Sequence, residues 1–217
     1  KQMGLPIDKL VCASNSNNVL TEFFASGTYD KNREFFKTIS PSMDILISSN
    51  LERLIFELSG RDAALTEKRM DELKNDGVYN VSKDEKLTLD KEFFAGYTDE
   101  EECKETIAEV FDEYGYVLDP HTSVAYDVAM DFIDCEKNDN PVVILSTASP
   151  YKFAHDVLSA IKGKAPADAF KAAEILSQET AAPIPSNILS LKEKERRFTK
   201  VIDRNDTVDA VMEFISK

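Results

Sequence analysis

The chain has 217 residues, 42% of them apolar, enough to bury a core and too many for a disordered segment. Its 40 acidic residues outnumber the 26 basic ones for a net charge of −14, which argues against a nucleic-acid partner, since neutralising phosphates needs a basic face. No apolar run approaches the roughly 20 residues that span a bilayer, so no membrane partner is expected.

In chain order, Leu10–Ser14 reads as a short buried strand. The polar run Asn15-Ser16-Asn17-Asn18 caps a helix whose Val19, Leu20, Phe23 and Phe24 share one face, ended by Gly27. Residues 28–42 read as a long loop. An apolar run follows over 43–48, and Asn50 is expected to cap a helix with Leu51, Leu54, Ile55 and Leu58 inside, closed by Gly60. Residues 62–76 form a charged helix that turns back at Asn75-Asp76-Gly77. Thr98 to Glu101 reads as a capping box for a helix carrying Ile107, Val110, Phe111 and Tyr114, stopped by Gly115. A further helix reaches about Cys135. Residues 142–145 predict a buried strand, with a helix from Pro150 to Ile161 and Gly163 past its end. Beyond it, Pro166, Pro183 and Pro185 punctuate an alanine-rich segment, and a strand at 198–202 and a helix from Thr207 close the chain. Strands alternating with helices predict an α/β, three-layer fold with a mainly parallel sheet. So few strands for this length, and a first residue that is Lys1, fit a piece of a longer protein.

Several kinds of site are absent from the pattern. There is no glycine-rich phosphate loop, nucleophile elbow or paired-histidine metal motif, and no metal is expected. Cys12, Cys103 and Cys135 lack ligand spacing and read as small apolar fillers in a reducing cytoplasm. The acidic run 99–102 reads as a helix N-terminus, where the macrodipole favours negative charge. Three stretches carry more. Ser146 and Thr147 stand at the carboxyl end of the expected strand, where open α/β sheets hold ligands, and either can cap the next helix or bind a ligand heteroatom. Asp119-Pro120-His121-Thr122 reads as a turn with an N-cap. Ser40-Pro41-Ser42-Met43-Asp44, with Ser48 to Arg53 behind it, gathers hydroxyls, an amide and one arginine. Arg53 near a helix start is unfavourable to the dipole, which suits pairing with Asp44 or meeting an anion.

"SPSMDILISSNLERL" (40–54), "GYVLDPHTSVA" (115–125) and "LSTASPYKF" (145–153) together resemble the C-terminal half of the threonine synthase family, in its longer bacterial and fungal form. The opening "KQMGLPIDKLVCASNSNNVLTEFF" (1–24) is similar to the family's stretch just past its phosphate-binding loop. The resemblance weakens after about residue 165. It implies a tryptophan-synthase-like (fold type II) pyridoxal-phosphate enzyme that converts O-phosphohomoserine and water to threonine and phosphate, in the cytoplasm. It implies that residues 1–165 are part of the cofactor-binding domain and 166–217 a C-terminal helical segment. It places Thr147, with Ser146 as alternate, against the cofactor's pyridine nitrogen. Ser42, Asn50, Arg53 and Lys152 are weaker candidates for the substrate. The family has a histidine where Ser149 stands. The cofactor's lysine and phosphate loop belong to the family's N-terminal half, so this chain is expected to be a C-terminal fragment, inactive alone, whose partner is that missing half and which self-associates through the surface it leaves open. Two other readings use the same residues: another fold-type-II enzyme such as a dehydratase or cysteine synthase, and a non-catalytic acidic α/β interaction module.

Overall fold

A computed structural model describes residues 1, 3–137 and 139–216. They form two compact units, Lys1–Ile184 and Pro185–Lys217.

The first unit is built on a parallel pair, β1 (Leu10–Ser14) and β4 (Phe93–Tyr97), in register from Leu10 opposite Phe93 to Ser14 opposite Tyr97. Successive residues of a strand point to opposite faces, and β4 shows it. The Phe93 ring lies 4.8 Å from Phe24 of helix α1 (Val19–Ser26), while the Phe94 ring lies 5.3 Å from Phe132 of helix α6 (Pro120–Glu136). The pair is therefore sandwiched between helices, the expected three layers in small. Gly96 is required where α6 crosses, since a Cβ there would sit 2.9 Å from Val128 Cγ1.

On the α1 face, β2 (Thr28–Asp30) and β3 (Val78–Asn80) pair antiparallel, with helix α2 (Leu51–Leu58) and helix α3 (Ala63–Asn75) between them in the chain. Residues 28–42 are thus not all loop. Tyr29 and Tyr79 face each other across this pair with their rings stacked at 5.3 Å, and with Phe23, Ile55 and Leu89 they form the core here. Desolvation pushes both phenols above their ordinary range. Helix α4 (Lys83–Glu92) is mostly charged and buries only Glu85 and Leu89. Its start is a capping box: Ser82 caps the Glu85 amide, and the Glu85 carboxylate accepts the Ser82 N–H at 2.6 Å. The same carboxylate takes a two-pronged bond from Arg69 of α3, at 2.8 and 2.6 Å, which ties α3 to α4 in a buried pair.

On the other face, helix α5 (Glu100–Tyr114) packs on α6 and on helix α7 (Ala154–Lys162), which packs on helix α8 (Ala169–Thr180). Their core includes Ile107, Val124, Val157, Leu158 and Leu176. The capping box of α5 sits one residue later than expected, with Asp99 as cap and Glu102 as its partner. Thr98 instead links the sheet to α6. Its N–H prolongs the sheet to the Ser14 carbonyl at 3.0 Å, and its hydroxyl donates to Asp127 at 2.8 Å. Gly115 ends α5 in a left-handed turn (φ 65°). Cys103 is buried under α6 and its thiol is pushed up to about 12; half-buried Cys12 is pushed up to about 11, in both cases by desolvation. Cys135 is exposed, so the filler reading does not extend to it.

The expected strand over 142–145 does not form. Val143 is 83% and Leu145 74% exposed, and no strand of the described residues lies beside them. β-branched residues favour an extended backbone, but a strand needs a neighbour to bond. The second unit contains helix α9 (Ser186–Leu189) and helix α10 (Thr207–Ile215). Its segment 198–202 is not a strand either. It is held to α10 by side chains, with the Phe198 and Phe214 rings 6.1 Å apart and Lys200 2.5 Å from Glu213. No helix of the described residues is long and apolar enough to cross a membrane.

Arg69 lowers the Glu85 carboxyl from its ordinary 4.5 to about 2, against an opposing push from burial. A depressed acid stabilises the fold above its unfolded value and loses that contribution as pH falls. Stability from this pair is therefore complete above about pH 4.5 and lost towards about pH 2. Arg69→Met should cost about 3–5 kcal/mol at neutral pH, because it strands a buried carboxylate. Urea unfolding at pH 7 and pH 3 measures both effects, and an unchanged midpoint at pH 7 contradicts the role given to the pair.

Candidate functional site

The carboxyl end of β1 delivers Ser14, Asn15 and Asn17, all buried. The side-chain oxygen of Asn15 accepts the Asn17 N–H at 2.9 Å, which turns the chain sharply into α1. The amide groups of both asparagines then reach the 36–44 segment. Asn15 Nδ2 is 2.8 Å from Asp44 Oδ1, 2.9 Å from Thr38 Oγ1 and 3.0 Å from Ser40 Oγ. Asn17 Nδ2 donates to the Phe36 carbonyl at 2.8 Å and to Asp44 Oδ1 at 3.1 Å, and Asn17 Oδ1 accepts the Phe36 N–H at 2.9 Å. Asp44 also accepts from the Thr38 hydroxyl at 2.7 Å and the Thr38 N–H at 3.1 Å. An irregular, mostly polar segment is thereby pinned to a strand end by hydrogen bonds instead of apolar burial.

This network answers one alternative for Arg53. Asp44 is taken by donors from Asn15, Asn17 and Thr38, while Arg53 is exposed on the first turn of α2, so the expected Arg53–Asp44 pairing does not occur. Asn50 also differs from expectation: its backbone is already helical and its side chain makes no capping bond. The Asn50 amide and the Arg53 guanidinium, three residues apart, share one face of the helix start. The apolar run 43–48 is anchored by Tyr29, whose hydroxyl donates to the Leu46 carbonyl at 3.0 Å and accepts the Ser48 N–H at 2.8 Å.

The second motif meets the first at His121. Asp119 caps α6 and accepts both the His121 N–H and the ring Nδ1, each at 3.0 Å; it also takes the Thr122 hydroxyl. His121 Nε2 lies 3.1 Å from the Ser42 N–H. The third motif closes the corner, with the Phe153 ring 4.9 Å from the imidazole and Lys152 Nζ 5.7 Å from the Phe153 ring. Ser149 caps the short 3-10 turn Pro150–Phe153 that precedes α7, and Tyr151 donates to the Ala182 carbonyl. Ser146 and Thr147 therefore do not cap this turn. Both are exposed, and their hydroxyls make no hydrogen bond to the described residues.

The structure thus joins residues 40–44, 119–122 and 149–153 through contacts at His121. Ser42, Asn50, Arg53, Lys152, Ser146 and Thr147 are all exposed; Ser42 and Lys152 lie within the joined segments, Ser146 and Thr147 shortly precede the third, and Asn50 and Arg53 lie outside them at the start of α2. Sequence reasoning missed Asn15, Asn17 and Thr38 as holders of the site. The available signal was the density of asparagines directly after a buried strand.

The mixed α/β arrangement, a parallel pair layered between helices, is shared with solved threonine synthases, one of them with pyridoxal phosphate bound. The solved threonine synthase of yeast matches it over 100% of this chain and 43% of its own length, at TM-score 0.81 and 32% identity. The pyridoxal-phosphate-bound threonine synthase of Brucella melitensis matches 83% of this chain and 42% of its own, at TM-score 0.68 and 35% identity. Residues 122–215 match the family model "Threonine synthase, C-terminal". The threonine synthase of Pseudomonas aeruginosa is 37% identical over 202 residues, covering 92% of this chain and 38% of its own length. The human "Threonine synthase-like 1" is 41% identical over 165 residues, covering 76% of this chain and 22% of its own length. The chain is similar in sequence and fold to the C-terminal part of threonine synthases and spans 22% to 38% of these two relatives.

Asp44→Asn replaces an acceptor oxygen with a donor that faces other donors, and should cost roughly 1–3 kcal/mol. The denaturation midpoint should fall with little change in slope. An unchanged midpoint would show that the network does not hold the segment.

Proposed function

We propose that this chain supplies the C-terminal part of a pyridoxal-phosphate-dependent lyase that converts O-phosphohomoserine and water to threonine and phosphate. The observation that carries the reading is the pair of uncommitted hydroxyls on Ser146 and Thr147, ahead of a turn that packs against His121 and so joins the segment of Ser42. A hydroxyl free of internal partners fits a pyridine nitrogen, which needs one neutral hydrogen-bond donor. Thr147 is assigned to that nitrogen, with Ser146 as the alternate. When bound, the cofactor withdraws electrons from the carbon skeleton of the amino acid. A hydroxyl in place of a carboxylate leaves the ring nitrogen largely unprotonated and moderates that withdrawal, which suits elimination and replacement at the β- and γ-carbons.

The substrate side falls to Ser42, Asn50, Arg53 and Lys152. Arg53 and Lys152 are cations suited to a phosphate, and the Ser42 hydroxyl and Asn50 amide add neutral donors. Residues 1–165 are assigned to the cofactor-binding domain and 166–217 to its C-terminal extension, a functional division separate from the compact units above. The lysine that holds the cofactor is assigned to the N-terminal half of the enzyme, in the cytoplasm, so this chain alone is inactive. That half is its partner and supplies the strand beside Val143 and Leu145. Without it these apolar residues stay uncovered, and the chain should self-associate. A monodisperse monomer in sedimentation at high concentration would contradict this.

In the whole enzyme, Thr147→Val should lower turnover or cofactor affinity roughly 5- to 150-fold, the worth of one buried hydrogen bond left unmade. The melting temperature of the cofactor-free enzyme should barely move, because the hydroxyl has no internal partner. Unchanged turnover with intact cofactor affinity would remove Thr147 from the cofactor and make Ser146 the residue to test.

A further inference from the structure

His121 is 7% exposed and Asp119 1%, yet neither is assigned to the cofactor or substrate above. Their geometry determines how the ring is protonated. The carboxylate of Asp119 can only accept, so Nδ1, 3.0 Å away, carries the ring hydrogen. The Ser42 N–H can only donate, so Nε2 presents its lone pair to it at 3.1 Å. Asp119 is itself fixed as the cap of α6, by the His121 N–H and by the Thr122 hydroxyl. The ring cannot easily tilt, because Phe153 lies against it at 4.9 Å. A rigid helix start is in this way connected through one imidazole to a backbone amide in the middle of the Ser40–Asp44 turn. Both ends of that turn are held as well, Ser40 by Asn15 and Asp44 by Asn15 and Asn17. Between these anchors only the exposed side chains at the tip, Ser42 among them, are left free to meet a ligand.

We propose that His121 is a positioning residue: with its proton held on Nδ1 by Asp119, it clamps the Ser42 backbone N–H through Nε2 and so sets the pose of the turn that meets the substrate. The part concerning substrate rests on the function proposed above; the clamp itself does not. A clamp of this kind acts on substrate binding more than on the chemical step, since the imidazole touches a backbone amide and not the reacting atoms.

The test compares His121→Leu, which removes the acceptor at similar bulk, with His121→Gln, whose side-chain oxygen can reach the Ser42 N–H. Hydrogen exchange on the 217-residue chain reads the clamp, with helix α6 as internal reference. The Leu variant should speed exchange at Ser42 roughly tenfold, as expected for losing one hydrogen bond, and leave the middle of α6 unchanged. The Gln variant should restore most of the protection. In the whole enzyme, the Leu variant should raise KM for O-phosphohomoserine by about the same factor with little change in kcat, and Gln should recover it. Unchanged exchange at Ser42 in the Leu variant, equal loosening of α6, or no recovery with Gln would overturn the clamp. Loosened exchange with an unchanged KM would overturn the positioning of substrate. A wild-type enzyme that does not turn over O-phosphohomoserine would instead sink the proposed function, with the exchange result still deciding the clamp.

Discussion

The Asp44 carboxylate is the point on which the site is built. It lies off the carboxyl end of β1 and accepts the amides of Asn15 and Asn17 and both donors of Thr38. Residues 31–50 contain no α-helix or strand of their own, so their backbone groups need side-chain partners. Asn15, Asn17, Asp44, Tyr29 and His121 provide them. Bonds to a charged acceptor are stronger than neutral ones, and several donors on one carboxylate fix the segment in one place. The exposed Ser42 and Asn50 then stand on a segment held from beneath, and the exposed Arg53 follows on the first turn of α2.

The layers explain why the anchor falls where it does. β1 can enter the interior because Cys12 and its neighbours are covered by α1 on one side and α6 on the other, and Gly96 lets α6 approach. The Arg69–Glu85 pair and the Tyr29–Tyr79 stack fasten α3, α4, β2 and β3 beside α1. Tyr29 belongs to both systems, since its ring is in the core and its hydroxyl holds residues 46 and 48. Loss of that ring would be felt as packing and as site geometry together.

Elements with a strong local signal are legible in the sequence: β1 by its apolar run, α1 and α5 by their helical spacing and closing glycines, α3 by its length. Helix α4 escapes such a reading because its apolar side is a single buried leucine; its signal is Ser82 three residues before Glu85. Strands β2 and β3 are three residues each and owe their existence to a tyrosine pair about 50 positions apart, which no local window contains. The opposite error falls at 142–145 and 198–202, where apolar composition suggests strands that have no bonding partner among the described residues. The three motifs that carry the resemblance are brought together by contacts at His121, but the residues that bind them to the fold lie outside those motifs or resemble simple caps. Asn15 and Asn17 have the local pattern of a helix start, and their use as cross-links depends on a segment 19 to 29 residues away.

The proposed function turns on which residue faces the cofactor. A crystal structure of the whole enzyme with pyridoxal phosphate bound measures it directly. The Thr147 hydroxyl is expected within about 3 Å of the pyridine nitrogen, with Ser42, Asn50 and Arg53 opening onto the same cleft and the Ser42–His121 bond intact. A ring nitrogen met by a carboxylate, or by no residue of this chain, would contradict it.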